Sequence, residues 1–401
     1  VFGEAAERVG QPAVLGELIA GLVLGASVLG VVPAEGPIAD IIHLLAEVGV
    51  AILLFEIGLE TDLKEMFQVG TESALVAIVG VALPFALGFA YWFWADPSIG
   101  AQLDGVSHGM IAVFVGATLT ATSVGITARV LTDLRLMHRA ESKIIIGAAV
   151  IDDVLGLVIL AVVSALAGGA ALSMFGIART FVIAVGFLVV AVVVGNLVAP
   201  RLFGLIDRMR VRGVLLVSAF CFALLFAALA AKAGSAMIIG AFAAGIVLSS
   251  VNQFDLIVER IEPVADVFTP IFFVSVGAAV NVGLFVPGGP DFNPGVLYVG
   301  ALLVGIAFVG KVLAGYVVGW GRVKLNHAAI GVGMVPRGEV GLIFADIGRR
   351  AGILSPETFS AILIMVIVTT FIAPPLLKVV FKPTDEDHAA PQPAGGHGDG
   401  H

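Results

Sequence analysis

Apolar runs separated by charged or Pro/Gly-rich breaks recur twelve times along the chain, at 12–31, 38–59, 72–95, 108–130, 142–168, 173–199, 212–232, 234–251, 256–281, 294–320, 326–348 and 357–380. A helix needs about 20 mostly apolar residues to cross a bilayer, so each run is a candidate span. The pattern predicts an all-α polytopic membrane protein. Composition agrees: of 401 residues 59% are hydrophobic and only 13% are charged, against roughly 25% charged in soluble domains. An ordinary water-soluble protein is excluded. The net charge of −9 argues against a nucleic-acid partner, and the single cysteine, Cys221, rules out a disulfide framework or a cysteine metal site.

The placement of charge says more than its amount. Cytoplasmic loops collect Lys and Arg. The 129–143 link holds Arg129, Arg135, Arg139 and Lys143, and the 200–212 link holds Arg201, Arg208, Arg210 and Arg212. In a twelve-span chain both links fall on one side, with Arg8, Lys64, Arg260, Arg322, Lys324, Lys378 and Lys382. Arg179, Lys232, Arg349 and Arg350 fall on the other. Both ends are therefore expected in the cytoplasm, and the Arg349–Arg350 pair fits this orientation least well. The tail from Pro383 to His401 has no apolar periodicity and is expected to be disordered; its three histidines read as part of a solvated tail. No GxGxxG fingerprint follows any segment, which predicts no fused nucleotide-sensing domain.

The chain also resembles itself. Span 1 reads Gly16-Glu-Leu-Ile-Ala-Gly-Leu-Val-Leu-Gly25 and span 8 reads Gly240-Ala-Phe-Ala-Ala-Gly-Ile-Val-Leu-Ser249, while Thr122-Ser-Val-Gly-Ile126 of span 4 matches Gly338-Glu-Val-Gly-Leu342 of span 11. Both matches relate spans seven apart, so the copies cross in opposite directions. Spans 1–5 and 8–12 form an inverted repeat, an architecture that places binding sites near the midplane at helices broken in corresponding positions. Span 4 carries Thr118, Thr120, Thr122 and Ser123 between Gly116 and Gly125, and span 11 carries Gly331, Gly333, Pro336, Arg337, Gly338, Glu339 and Gly341. Pro336 removes a backbone donor and the glycines weaken the helix. Gly and Thr at close helix contacts would explain span 4 alone; the pairing with span 11 favours a break in both.

Span 5 places Asp152 and Asp153 side by side near mid-membrane. A central Asp costs roughly 2.5–3.5 kcal/mol on insertion scales, so the pair must have partners or a function. Neighbours on a helix point about 100° apart, so one carboxyl can line an aqueous cavity while the other meets a helix partner. Lys311 is the mid-membrane lysine of span 10, and a buried Lys wants a carboxylate. Glu17, Glu47, Glu56, Asp266, Asp346, His43 and His327 lie nearer helix ends or in less polar company and read as structural or interface residues.

The segments Ala117–Arg129, Gly147–Gly156 with its Asp-Asp pair, Gly310–Gly315 with Lys311, and Pro336–Leu342 together resemble bacterial sodium/proton antiporters of the monovalent cation:proton antiporter-2 family, NapA type. The resemblance covers essentially the whole membrane region. It implies an inverted-repeat antiporter fold with two discontinuous crossing helices, in a multi-pass protein of the bacterial inner (cell) membrane with a cytoplasmic C-terminus. It further implies an elevator-type homodimer in which 72–168 and 294–382 form a moving core, 12–71 and 212–293 hold the interface helices, and 169–211 is a linker. Residues 1–11 would be the remnant of a preceding helix or N-terminal segment, and 383–401 the tail.

By matching position the resemblance assigns cation and proton binding to Asp153, with Asp152 paired to Lys311. Thr122 and Ser123 would line the span 4 crossover, and Arg337 and Glu339 the crossover of span 11. The implied activity is secondary active exchange of Na+ or Li+ for H+, electrogenic with two protons per sodium, in the service of pH homeostasis. The partners are then Na+ or Li+, protons and the bilayer, with no cofactor besides the transported ions and no enzymatic reaction. Potassium/proton exchange or potassium efflux on the same fold is the alternative, because one carboxylate with hydroxyls and carbonyls suits several hard cations. An intramembrane aspartyl protease would need its two Asp on separate helices.

Overall fold

The computed structural model describes residues 1–381 except 10, 62–69, 96–98, 100–105, 124–126, 129, 132–133, 135, 138, 169–173, 210, 212, 236, 319–324 and 338, and except the side chains of 174, 176, 177, 180 and 339. The side chain of Glu339, Gly125 of span 4, Gly338 of span 11 and the Pro383–His401 tail thus lie outside the described residues. Fourteen α-helices occur among the described residues: α1 (Phe2–Arg8), α2 (Ala13–Leu24), α3 (Pro37–Glu60), α4 (Thr71–Ala95), α5 (His108–Thr118), α6 (Ala140–Ala167), α7 (Met174–Ile206), α8 (Val214–Lys232), α9 (Met237–Ser249), α10 (Phe254–Ala278), α11 (Pro294–Ala314), α12 (His327–Gly333), α13 (Glu339–Arg350) and α14 (Pro356–Val380). Eight of them are long and apolar enough to cross a membrane.

Local sequence sets several starts. Ser107, Asn293, Asn326 and Ser355 accept hydrogen bonds from Met110, Gly295, Ala329 and Thr358 N–H groups, capping α5, α11, α12 and α14. Pro294 and Pro356 follow two of these caps, where the missing N–H costs nothing.

The apolar runs of spans 4 and 11 each contain a break. Helix α5 stops at Thr118 and the backbone at 119–123 is not helical. Likewise α12 stops at Gly333 and α13 resumes at Glu339. Three other boundaries differ from the expectation. Spans 1 and 8 come out as helices of 12 and 13 residues, about 18–20 Å at 1.5 Å per residue. The first starts only after Pro12 and ends at Gly25, where the chain turns back to bridge Val32. Span 6 runs on through Pro200 to Ile206; membrane helices absorb proline more readily than soluble ones do, and Pro200 sits on an exposed face.

Glycine contacts display the inverted repeat. A Cβ on Gly16 would stand 2.1 Å from the Phe2 carbonyl oxygen of α1, and one on its counterpart Gly240 would stand 2.2 Å from the Phe226 carbonyl oxygen of α8. Gly21 meets the Val274 oxygen of α10 at 2.2 Å, and its counterpart Gly245 meets the Phe55 oxygen of α3 at 2.2 Å. The reciprocal contacts hold too, since Gly277 abuts the Leu18 oxygen and Gly58 the Phe242 oxygen. Only glycine lets these backbones approach so closely. Helices α2 and α9 are thus equivalents, as are α10 and α3, and α1 stands to α2 as the end of α8 stands to α9.

Packing sorts the helices into two bundles. In one, α3 lies against α9 and α10, α8 against α9, and α2 against α10. In the other, α4 packs on α5, α6 and α11, α14 on α11, and α12 and α13 on α6 and α14. The long helix α7 touches α6, α8 and α9.

Candidate functional site

Both breaks belong to the second bundle, and they are stitched to each other. The Ser123 N–H donates to the Pro336 carbonyl at 2.8 Å. Thr122 Oγ1 donates to the Met334 carbonyl at 3.3 Å, and Thr127 Oγ1 to the Gly333 carbonyl at 2.7 Å. These bonds occupy carbonyls at the open C-terminal end of α12, which its own turns cannot satisfy. Thr118 and Thr120 instead bond back to the Val115 and Ala117 carbonyls of α5. The threonines that suggested a break therefore divide between ending α5 and fastening it to span 11.

Arg337 supplies the remaining link. Its side chain is 1% exposed, and its guanidinium donates to the Ala121 carbonyl in the span 4 break and to the Ala307 carbonyl of α11, the latter at 3.4 Å. Its own carbonyl accepts from Thr370 Oγ1 of α14 at 2.5 Å. The C-terminal ends of α5 and α12 both carry partial negative charge, and the guanidinium offsets it from within the crossing.

Beside this crossing lies the charged pair. Lys311 Nζ stands 3.0 Å from Asp152 Oδ1, and the two side chains are 0% and 1% exposed. Gly80 of α4 faces the ammonium, and a Cβ there would lie 3.6 Å from Nζ, in ordinary contact. Asp152 Oδ2 and Arg337 Nε are buried and find no hydrogen-bond partner among the described residues. Asp153, one residue along α6, is half-buried rather than enclosed, as the 100° step between neighbours requires. One carboxylate of the pair is held in a buried ion pair, and its neighbour is the less enclosed of the two.

The remaining acids and histidines separate by position. Glu17, Glu56 and Asp266 sit on α2, α3 and α10 of the first bundle, away from Lys311. Glu47 and Asp346 join an ion cluster with Arg349 and Arg350. His327 Nδ1 lies 3.1 Å from the Gly315 carbonyl, and its ring stacks on Tyr316. Gly80, Thr127 and Thr370 belong to the site without having been singled out. A threonine or glycine in an apolar helix carries no mark of what faces it, although Thr127 does fall in the polar stretch of span 4.

A buried Lys–Asp pair, a second carboxylate beside it, and two unwound crossing segments rich in carbonyls and hydroxyls offer hard oxygen ligands to a cation. They also offer a titratable group for protons.

Comparison with known proteins bears on this site. A family described as sodium/hydrogen exchanger, transmembrane, matches residues 1–382. The high-affinity Na+/H+ antiporter NhaS3 of Synechocystis is 40% identical over 98% of this chain and 89% of its own. The Na+/H+–K+ antiporter GerN of Bacillus cereus is 35% identical over 96% and 94%. The solved sodium proton antiporter MjNhaP1 of Methanocaldococcus jannaschii covers 94% of each chain with a TM-score of 0.69 at 15% identity, a likeness of fold.

Proposed function

The chain belongs to the sodium/hydrogen exchanger family, and from that premise we propose a mechanism in which Asp153 holds Na+ and H+ by turns. The protein is a multi-pass membrane transporter that exchanges Na+ for H+. The observation that carries the mechanism is the unequal fate of adjacent carboxylates: Lys311 holds Asp152 in a fully buried pair, while Asp153 stands half-buried one residue on. A carboxylate already bound to a lysine is a poor cation ligand, so the cation falls to Asp153. The hydroxyls and carbonyls of the neighbouring crossing are suited to complete its oxygen shell.

Proton and sodium then exclude one another at Asp153. The bundle bearing the site crosses only with one or the other aboard, so a proton gradient drives sodium the opposite way. In this reading the bundle of α4–α6 and α11–α14 is the moving core, α2, α3 and α8–α10 are the interface helices, and α7 is the linker. Two copies pair through the interface helices, as the family resemblance implies. The Arg-rich links 129–143 and 200–212 face the cytoplasm, together with the C-terminus, in a bacterial cell membrane. The Asp152–Lys311 pair is the carrier of a second proton, which makes the exchange electrogenic.

The test is proton flux in proteoliposomes that start acidic inside and carry a pH dye. Added Na+ or Li+ should discharge the gradient, and K+ should leave it standing. Discharge by K+ at the sodium rate would favour the potassium reading, which the 35% identity to a Na+/H+–K+ antiporter makes the natural second choice. No response to any of the three would contradict exchange.

A further inference from the structure

Arg349 and Arg350 are the basic residues that fit the charge distribution least well, and sodium/proton exchange at Asp153 makes no use of them. Both stand at the end of α13 on the side away from the Arg-rich links. Asp346, 4% exposed, lies one turn back on the same helix and takes both, with 3.0 Å to Arg349 Nη2 and 2.6 Å to Arg350 Nε. The Arg349 guanidinium also covers the Phe359 ring of α14 at 5.5 Å. The cluster is thereby fixed to the second bundle. From it Arg350 reaches out, and its Nη1 lies 3.1 Å from Oε1 of Glu47 on α3, a helix of the first bundle.

The same boundary holds a cavity of about 350 Å³. It lies between the α2–α3 turn, the end of α10 and the tip of α13, with Ser27, His43, Ser275, Asn281 and Arg349 among its walls. On the moving-core reading, this crevice lies where the two bundles would part on that side.

We propose that Glu47 and Arg350 form a latch that holds this crevice shut. The proposal rests on the moving-core reading above. Any displacement of α13 past α3 must break the pair, because Arg350 is tied to one bundle by Asp346 and Glu47 belongs to the other. Each transport cycle therefore opens and remakes the pair, and its strength sets how often the far side is open. Because Glu47 is largely exposed, at 64%, the latch is a weak bias on the equilibrium. An exposed ion pair shifts a two-state equilibrium by about two- to fivefold, enough to tune cycling without arresting it.

The experiment uses the full chain with Cys221→Ala and a single reporter, Ser275→Cys, whose position is 5% exposed. A membrane-impermeant thiol reagent is applied to the far side, and Ala279→Cys serves as a second reporter if the first expresses poorly. Labelling should be about two- to fivefold faster in Glu47→Gln than in its absence. Arg350→Gln should match it, and the double variant should be no faster than either single one. A rate indifferent to Glu47→Gln but still responsive to sodium overturns the latch and leaves the moving core standing. A rate indifferent to both overturns the moving core and the latch with it.

Discussion

Lys311→Met should cost the protein about 3–5 kcal/mol of stability, because removing one partner of a buried ion pair strands the other charge. The stranded group is Asp152, 1% exposed and already lacking a partner for Oδ2. Gly80 beside the ammonium brings no polar replacement. Asp152→Asn in the same background removes the stranded charge and should restore most of the loss, since an ion pair exchanged for neutral groups is often close to neutral overall. Thermal unfolding in detergent of the wild type, both single variants and the double variant measures this. The double variant also separates stability from transport. With Asp153 intact it should still exchange sodium for protons, but the charge moved per sodium should fall to zero, because the pair proposed to carry the second proton is gone.

Asp153→Asn should behave in the opposite way. The side chain is half-buried, its volume is kept, and the amide carries no charge to bury, so stability should hold or rise. Transport should fall to the leak of protein-free vesicles, because an amide neither releases a proton nor balances a cation. The Asp152–Lys311 pair and Asp153 thus have divergent expected phenotypes: breaking the first costs stability that Asp152→Asn restores and removes the charge moved, whereas losing the second ends exchange beyond repair by any second change at Lys311.

The membrane architecture was legible because its causes are local. Twenty-residue apolar runs and Pro336 among glycines act through the backbone of their own segment, and the breaks in spans 4 and 11 occur where those residues stand. The short lengths of α2 and α9 were not legible. Nor were their neighbours: Gly21 meets Val274 and Gly245 meets Phe55, and a glycine does not announce which backbone it will meet. Arg337 shows the same limit at the site. Its charge and its place in span 11 were evident, whereas its acceptors are the carbonyls of Ala121, freed only where span 4 unwinds, and of Ala307 on α11, brought beside it by the fold. Arg349 and Arg350 stand against the charge rule, which counts Lys and Arg alone, and Glu47, the partner of Arg350 across the bundle boundary, is 303 residues away in sequence and so was not legible.

The central claim is that sodium and a proton compete for one carboxylate. The most direct measurement is the apparent KM for sodium in proteoliposomes as a function of pH, with the maximal rate recorded at each point. Competition predicts that KM rises about tenfold for each unit of acidification once the carboxylate is mostly protonated, while the maximal rate at saturating sodium stays constant. A KM that does not move with pH while the maximal rate falls would place the proton somewhere other than the sodium site, and would contradict the account.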